Sequence, residues 1–207
     1  MQEILMNSLS AKERYKLLSG SIVPRPIAFV TTNSTEADVV NAAPFSFFSM
    51  LSGDPPLVSI AVGRRAGVMK DTARNALESK ELVIHIVSEE IVEAMNQTAA
   101  TLESDKSELD LTSLQLIRSS RVTVPAIKEA KIRFECTIES HLPTKNDAGT
   151  EVSFDLLIAR VLCVHIDDSV YDKEHNYVLA DQLKPVARLS GPNYATLGKT
   201  YSMKRPD

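Results

Sequence analysis

The sequence predicts a mainly β protein with short helices, folded as a six-stranded antiparallel barrel of the Greek-key type that is closed or partly open. The β signal is clearest over residues 131–167, where apolar and polar residues alternate with a period of two. About six β-rich runs of uneven length are interrupted by short helices instead of alternating with them, which disfavours a doubly wound sheet. Because no repeat, low-complexity segment or linker divides the chain, we expect one domain over residues 1–207.

Composition excludes several classes of protein. The 207 residues are 43% hydrophobic and 24% charged, which is enough apolar material for a sizeable core. With 23 basic and 27 acidic residues, the net charge of −4 disfavours nucleic acid as a partner. No run approaches the roughly 20 apolar residues of a membrane span, and the N-terminus lacks the pattern of a signal peptide. We therefore expect a cytoplasmic protein with no membrane contact.

Residues 8–88 predict a helix and four strands. A helix is expected over 8–20, with Ser10 as N-cap, Glu13 completing a capping box and Gly20 following its end. The run SIVPRPIAFVTT (21–32) predicts a strand in which the Pro-Arg-Pro triplet keeps an extended, unpaired backbone. A second strand is expected to begin at VVNAA, and two more at PLVSIAVG (56–63) and ELVIHIVS (81–88).

The remaining segments predict two helices, an irregular stretch and a long hairpin. One helix is expected over roughly 72–79, and another after Ser88, which is a plausible N-cap. Residues 101–125 are polar and irregular, with a possible single turn at Ser107–Leu111. The alternating run from Lys131 and the run after KNDAG (145–149) predict two paired strands, the second of them covered on both faces. The tail shows little periodicity.

Cys136 and Cys163 are expected to remain free thiols. If the hairpin turns near Ala148, the two residues are out of register by three positions, or about 10 Å, which is beyond disulfide reach. Cys163 and His165 share a strand face, but two ligands fall short of the three or four of a usual zinc site. We therefore expect no metal site.

The segment GRRAGVMKDTARN (63–75) is a candidate phosphate site. Arg64, Arg65 and Lys70 lead into a predicted helix whose first turn holds Asp71 and Thr72. A helix N-terminus offers free N–H groups and partial positive charge, so added cations and a hydroxyl suit a phosphate. The alternative is that Asp71 or Thr72 only caps the helix while the cations are solvated.

The segment NAAPFSFFS (41–49) is a candidate wall for a flat, partly polar ring system. It combines aromatic residues with Asn41, Ser46 and Ser49, and two small residues precede its proline. The alternative is a core loop. No GxGxxG, GxxxxGK[ST] or GxSxG motif occurs, so Rossmann, P-loop and nucleophile-elbow sites are not supported.

These motifs together resemble the flavin reductase-like family of FMN-binding split barrels. The run PRPIAFVTT, then NAAPFSFFS, DPPLVSIAVG and the KDT segment stand in the family's order, and MNQTA, SELDL, FECTIES and PVARLSGPNY extend the likeness over nearly the whole chain. The resemblance implies a split barrel, bound FMN, and a homodimer with each flavin near the subunit interface. Two departures are His85, where relatives often have asparagine, and Leu109, where an aromatic residue is common; both bear on ring stacking or the substrate side.

The resemblance also implies roles for individual residues. The ring and ribityl chain of FMN would contact residues of the 41–49 segment, and its phosphate would be held by residues of the 63–75 segment. Three further residues are weaker candidates at the site edge. The contacts with the ring and ribityl chain would be Asn41, Ala42, Ala43, Ser46 and Phe47. The phosphate would be held by Arg64, Lys70, Asp71 and Thr72, and the candidates at the site edge are Arg25, Arg188 and Tyr194.

The leading functional hypothesis is an FMN-dependent oxidoreductase in which NAD(P)H reduces the flavin, which passes electrons to a downstream acceptor or oxygenase. Because the chemistry belongs to the flavin, no catalytic residue is named. One alternative is a flavoredoxin-like electron carrier that binds FMN tightly and does not itself oxidise NAD(P)H. Another is a split barrel that has lost flavin and serves as a ligand-binding or structural dimer.

Overall fold

The structure is a computed structural model that describes residues 1–206. The predicted first helix is confirmed: the Ser10 hydroxyl accepts from the Glu13 N–H, and the Glu13 carboxylate accepts from the Ser10 N–H at 2.8 Å. Gly20, expected beyond the helix, lies in its last turn. The helices are α1 (Ala11–Ser21), α2 (Asp71–Ser79), α3 (Val92–Gln97) and α4 (Ala180–Leu183), with 3-10 turns at Met6–Ser8, Glu108–Leu111 and Asp168–Val170. Among residues 1–206, no helix is long and apolar enough to cross a membrane.

Far more of the described chain lies in β-strands than in helices, as the sequence predicts. The strands are β1 (Arg25–Pro26), β2 (Ala28–Asn33), β3 (Val40–Phe45), β4 (Phe48–Gly53), β5 (Pro56–Gly63), β6 (Glu81–Ile86), β7 (Leu116–Ile117), β8 (Ala126–Ile127), β9 (Ile132–Lys145), β10 (Val152–Ile166), β11 (Tyr171–Asp172), β12 (Tyr177–Val178), β13 (Val186–Arg188) and β14 (Tyr194–Thr196).

The main sheet has the strand order β3-β2-β6-β9-β10-β5-β4, with every neighbouring pair antiparallel. Its two edge strands, β3 and β4, are joined through Ser46 and Phe47 but are not paired with each other, so the barrel is open between them. The split barrel is confirmed. It has seven strands instead of six because the segment after residue 39 turns at Ser46–Phe47 and forms two strands.

Three local predictions are wrong. The helix after Ser88 begins only at Val92, because the backbone of buried Ser88 pairs with Pro185 instead of capping a helix. The Pro-Arg-Pro backbone is paired, since β1 is the edge of a three-stranded sheet with β13 and β14. Strand β10 is not covered on both faces, because alternate residues such as Leu162 and Val164 remain exposed.

The long hairpin of β9 and β10 is confirmed, but its register differs from the predicted one. Cys136 lies opposite Val161, and Cys163 lies opposite Glu135. The predicted offset of three residues is wrong because the turn is centred between Ala148 and Gly149, and because a bulge between Val161 and Cys163 shifts the pairing. Both cysteines are free, Cys136 buried and Cys163 half-buried.

Two apolar clusters lie on opposite sides of β2. Val30 belongs to the cluster inside the barrel, which α2 covers with Ala73 and Ala76. Phe29, the preceding residue, belongs to the second cluster, beneath α3. Since side chains alternate along a strand, both faces of β2 are buried, and β2 fixes the positions of β3 and α2. These two elements form the walls of the site described next.

Candidate functional site

A cavity of about 600 Å³ opens beside the start of α2. Its walls are β3, the loop between β5 and α2, and the segment after α3. The residues that line it include Asn41, Ala43, Phe45, Arg65, Lys70, Asp71, Thr72 and Glu108. The cavity thus brings together the two segments that the sequence singled out, 41–49 and 63–75.

Two cations line this cavity without carboxylate partners. Lys70 is the N-cap residue of α2, and its Nζ lies 5.7 Å from the centroid of the Phe45 ring. Lys70 is exposed as a residue, but partial desolvation of its ammonium group, and then the charge of Arg65, lower its pKa. None of the ion pairs within residues 1–206 includes Lys70 or Arg65. Both cations are therefore free to pair with an anion that enters the cavity.

The first turn of α2 adds helix-terminal N–H groups to these cations. Such groups have no partner within their own helix. The side chains of the turn are already engaged: the Asp71 carboxylate accepts from Arg74 and, at 2.9 Å, from the Ser104 hydroxyl. The Thr72 hydroxyl donates to Asn41 Oδ1 at 2.7 Å. The N-terminus of α2 therefore presents its backbone donors to the cavity in a fixed orientation.

A buried carboxylate, Glu108, lies beneath the same wall. Its two oxygens accept from Asn41 Nδ2 at 2.9 Å each, and Oε2 also accepts from the Ala42 N–H at 3.0 Å. Burial raises the pKa of Glu108. The carboxylate lies in the 3-10 turn that begins after Ser107, whose hydroxyl accepts from the Leu109 N–H. Glu108 thereby fixes β3 at the point where it borders the cavity.

Comparison with known proteins identifies the family. A family model described as "Flavin reductase like domain" matches residues 19–183. The chain belongs to the flavin reductase-like family. The uncharacterized protein YwrF of Bacillus subtilis (strain 168) is 54% identical to it over 200 residues, which cover 97% of each chain.

Two solved structures are similar to this flavin reductase-like chain throughout its length. Nitrilotriacetate monooxygenase component B from Bacillus cereus is 44% identical, with a TM-score of 0.93 and coverage of 98% of both chains. The 2-nitrobenzoate 2-nitroreductase NbaA from Pseudomonas fluorescens is 30% identical, with a TM-score of 0.88 and coverage of 99% of this chain and 96% of that chain.

The predicted site residues of this family member fall into two groups in the structure. Asn41, Ala43, Lys70, Asp71 and Thr72 line the cavity together. The others lie outside its lining, as described next.

Arg25, Ser46 and Phe47 form a separate cluster near the end of α1. The Arg25 guanidinium donates to three backbone carbonyls, including that of Leu189 at 2.9 Å. It also lies 3.5 Å from Ser46 Oγ and 5.8 Å from the centroid of the Phe47 ring. The Arg188 guanidinium stacks on the Tyr194 ring in the neighbouring sheet. Of these residues, Arg25 contacts the junction where β3 passes into β4, through Ser46 and Phe47.

Arg64 and Ala42 do not line the cavity. The Arg64 guanidinium is paired with Asp155, at 2.8 Å for each of two hydrogen bonds. Ala42 is fully buried, and its N–H is held by Glu108. Arg65, the next residue along the chain, faces the cavity instead of Arg64.

The two departures from the family pattern, His85 and Leu109, are core residues. His85 is fully buried between β2 and β8, accepting at Nε2 from the Ile127 N–H and donating from Nδ1 to the Phe29 carbonyl, at 2.8 Å each. Leu109 packs in the cluster beneath α3. Neither side chain lines the cavity, so the structure shows no contact through which either residue would change the stacking of the ring.

Cys163 and His165 share a face of β10, as predicted, with 3.7 Å between Sγ and Nε2. The same Nε2 lies 2.6 Å from the buried carboxylate of Glu135. Within residues 1–206, no group of three or more His, Cys, Asp or Glu side chains could hold a metal ion.

Sequence reasoning missed Glu108 and did not assign Arg65 a contact with the flavin. The available signal for Glu108 was its place in the SELDL motif. Arg65 was noted as a cation of the 63–75 segment, but only the geometry of the loop separates it from Arg64.

Proposed function

We propose that this protein is an FMN-binding, NAD(P)H-dependent flavin reductase that passes electrons to a downstream acceptor or oxygenase. The observation that carries the proposal is the cavity at the N-terminus of α2, where Lys70 and Arg65 lack carboxylate partners. The names of the two similar structures, a monooxygenase component and a nitroreductase, support a reductase that works with a second protein or substrate.

The residues around the cavity fit the phosphate of FMN. A phosphate monoester carries nearly two negative charges at neutral pH and three acceptor oxygens. Lys70 would supply a point charge and Arg65 a planar pair of donors, while the backbone N–H groups at Asp71 and Thr72 would complete the set. The wall formed by Asn41 and the residues after it, up to Ser46 and Phe47 at the turn between β3 and β4, would border the ring.

When bound, flavin supplies the hydride and electron chemistry of the reaction. The chain's own contribution is to bind the cofactor, orient it and leave one ring face accessible to NAD(P)H. This division of labour needs no acid–base residue, and we propose none. Arg25, which donates to three carbonyls, would hold the side chains of Ser46 and Phe47 at the turn between β3 and β4.

The proposal includes a cytoplasmic homodimer with an oxygenase or electron-transfer protein as possible partner. Two free cysteines suit a reducing compartment. Exposed apolar residues at the turn before β4, on β4 and on β10 would be covered in a dimer: Phe47, Met50, Leu51, Leu162 and Val164. Analytical ultracentrifugation tests the dimer, and a single species of 22.8 kDa would contradict it.

The visible absorption spectrum of the purified, desalted protein tests the cofactor and the reaction. We expect a flavin spectrum, or one acquired on adding FMN, that bleaches on anaerobic addition of NADH or NADPH. A spectrum that bleaches with dithionite but with neither nicotinamide would replace the reductase by a flavoredoxin-like carrier. No flavin bound, and none taken up, would contradict the cofactor assignment and leave a barrel without flavin.

A further inference from the structure

The loop between β5 and α2 makes a tight turn before it reaches Lys70. Arg65 and Val68 pair through their backbones in both directions, at 3.2 and 2.9 Å. Ala66 and Gly67 between them adopt positive φ angles of 48° and 75°. Since alanine is strained in this region, the turn needs contacts that hold it. Its conformation determines where the Arg65 side chain points.

Arg64 supplies those contacts from outside the cavity. Its N–H donates to the Ser153 carbonyl at 2.8 Å, which fixes the start of the loop to β10. Its guanidinium donates to the Gly67 carbonyl at 3.2 Å, which fixes the middle of the turn. Its Nε and Nη2 groups donate to Asp155, at 2.8 Å each. Arg64 therefore connects the turn to the barrel by both its backbone and its side chain.

Asp155 holds Arg64 in place from within the sheet. Its side chain is 0% exposed and accepts two bonds from Arg64 and one from His141 Nε2, each at 2.8 Å. Burial alone would raise the pKa of Asp155, but the hydrogen bonds and charges of Arg64 and His141 outweigh it and lower that pKa. The buried carboxylate is thus charged at neutral pH, and a bidentate Arg pair is geometrically specific.

We propose that Asp155 and Arg64 are positioning residues for phosphate recognition: their buried ion pair holds the 64–69 loop so that Arg65 and Lys70 face the cavity. The proposal rests on FMN binding as proposed above. Neither Arg64 nor Asp155 lines the cavity, so their effect on a ligand must pass through the loop. That effect is confined to the part of the ligand that the loop contacts, which is the phosphate.

Comparing the Kd for FMN with the Kd for riboflavin distinguishes a change at the phosphate site from general damage to the fold, because riboflavin lacks the phosphate. We expect Asp155→Asn to raise the Kd for FMN about tenfold, the scale of one misplaced charge-assisted hydrogen bond, and to leave the Kd for riboflavin within about twofold. Quenching of flavin fluorescence on binding measures both constants.

Arg64→Lys is the second variant, in case removal of the buried charge prevents folding. It keeps the charge beside Asp155, but a single ammonium cannot make the bidentate pair and also reach Gly67. We expect the same selective loss of FMN affinity. The matched control is Glu139→Gln, which breaks the exposed bidentate pair of Glu139 with Arg160 on the same hairpin. It should change neither constant.

Every outcome of these binding titrations either supports the proposed positioning role or overturns it. A Kd for FMN that stays unchanged in folded Asp155→Asn and Arg64→Lys overturns the proposal, as does an equal loss for FMN and riboflavin. Failure of the unmodified protein to bind FMN at all contradicts the proposed function itself, and the unmodified protein is measured first. The two failures are therefore distinguishable.

Discussion

Glu108 holds the side-chain amide of Asn41 in one orientation. Asn41 Nδ2 lies 2.9 Å from each carboxylate oxygen of Glu108, while Asn41 Oδ1 accepts from the Thr72 hydroxyl at 2.7 Å. A primary amide has donors and an acceptor in one plane, so it can join an acidic group to a hydroxyl in this way. Three elements that are distant in sequence, namely β3, α2 and the turn at 108–111, therefore meet at one buried side chain.

Removal of Glu108 should destabilise the fold. In Glu108→Ala, the Asn41 amide and the Ala42 N–H lose a buried acceptor, and we expect the free energy of unfolding to fall by about 2 kcal/mol. Urea denaturation measures this loss. Glu103→Ala, an exposed carboxylate on the same segment, is the control and should change stability by less than about 0.5 kcal/mol. Equal effects of the two substitutions would contradict the network.

Removal of either free cation should weaken FMN binding. We expect Lys70→Ala and Arg65→Ala each to raise the Kd for FMN about tenfold, because each removes a charged donor from the proposed phosphate site. Fluorescence titration measures the change. Lys173→Ala, which removes an exposed lysine on the turn after β11, is the matched control and should bind FMN normally. Unchanged affinity in the Lys70 variant would rule out this phosphate assignment.

His85 should make stability depend on pH between about 4 and 6.5. Burial lowers the pKa of His85 from 6.5 to about 4, so between these values the unfolded chain binds a proton that the folded chain does not. The stability is thus fully present above pH 6.5 and decreases as the pH falls toward 4, by about 3 kcal/mol in total.

Urea midpoints at pH 7 and pH 5 test the role of His85. His85→Asn should lower stability at both values but reduce the difference between them, because asparagine does not titrate. His175→Asn, at an exposed histidine, should keep the full difference. A His85→Asn protein with the pH dependence of the unmodified protein would show that another group is responsible.

The two cysteines should react with a thiol reagent at very different rates. Burial, and then the charge of Glu135, raise the pKa of Cys136 to about 12, whereas Cys163 is half-buried on β10. We expect Ellman's reagent to modify one thiol per native chain and both in urea. Cys163→Ser should abolish the native reaction. Rapid modification of that variant would mean that Cys136 is accessible.

The parts of the fold that depend on local pattern could be predicted from the sequence. The capping box of Ser10 and Glu13 lies within one helical turn, and the β9–β10 hairpin follows from alternation along adjacent segments. The seventh strand was missed because the turn at Ser46 and Phe47 contains no glycine, and the aromatic run around it is equally typical of a core loop. Pairing of β1 with β13 left no signal in the tail.

The candidate site could be predicted in outline but not in detail. Its two segments were found because cations before a helix and small residues beside aromatics are visible locally. Glu108 was missed because its partner Asn41 lies 67 residues away, and neither residue is unusual alone. Arg64 and Arg65 are indistinguishable as neighbours, and their opposite directions depend on Asp155, which lies 91 residues beyond Arg64.

The pairing of β1 with β13 also means that β1 is synthesised well before its partner strand. Arg25 donates to the carbonyl of Leu189, which follows it by 164 positions. At about 5–20 residues per second, a ribosome needs roughly 8–33 s to synthesise the intervening chain. Throughout that interval β1 has no partner strand, and the Arg25 guanidinium lacks one of its acceptors. Completion of this end of the molecule is therefore governed by translation and not by the diffusion of the chain.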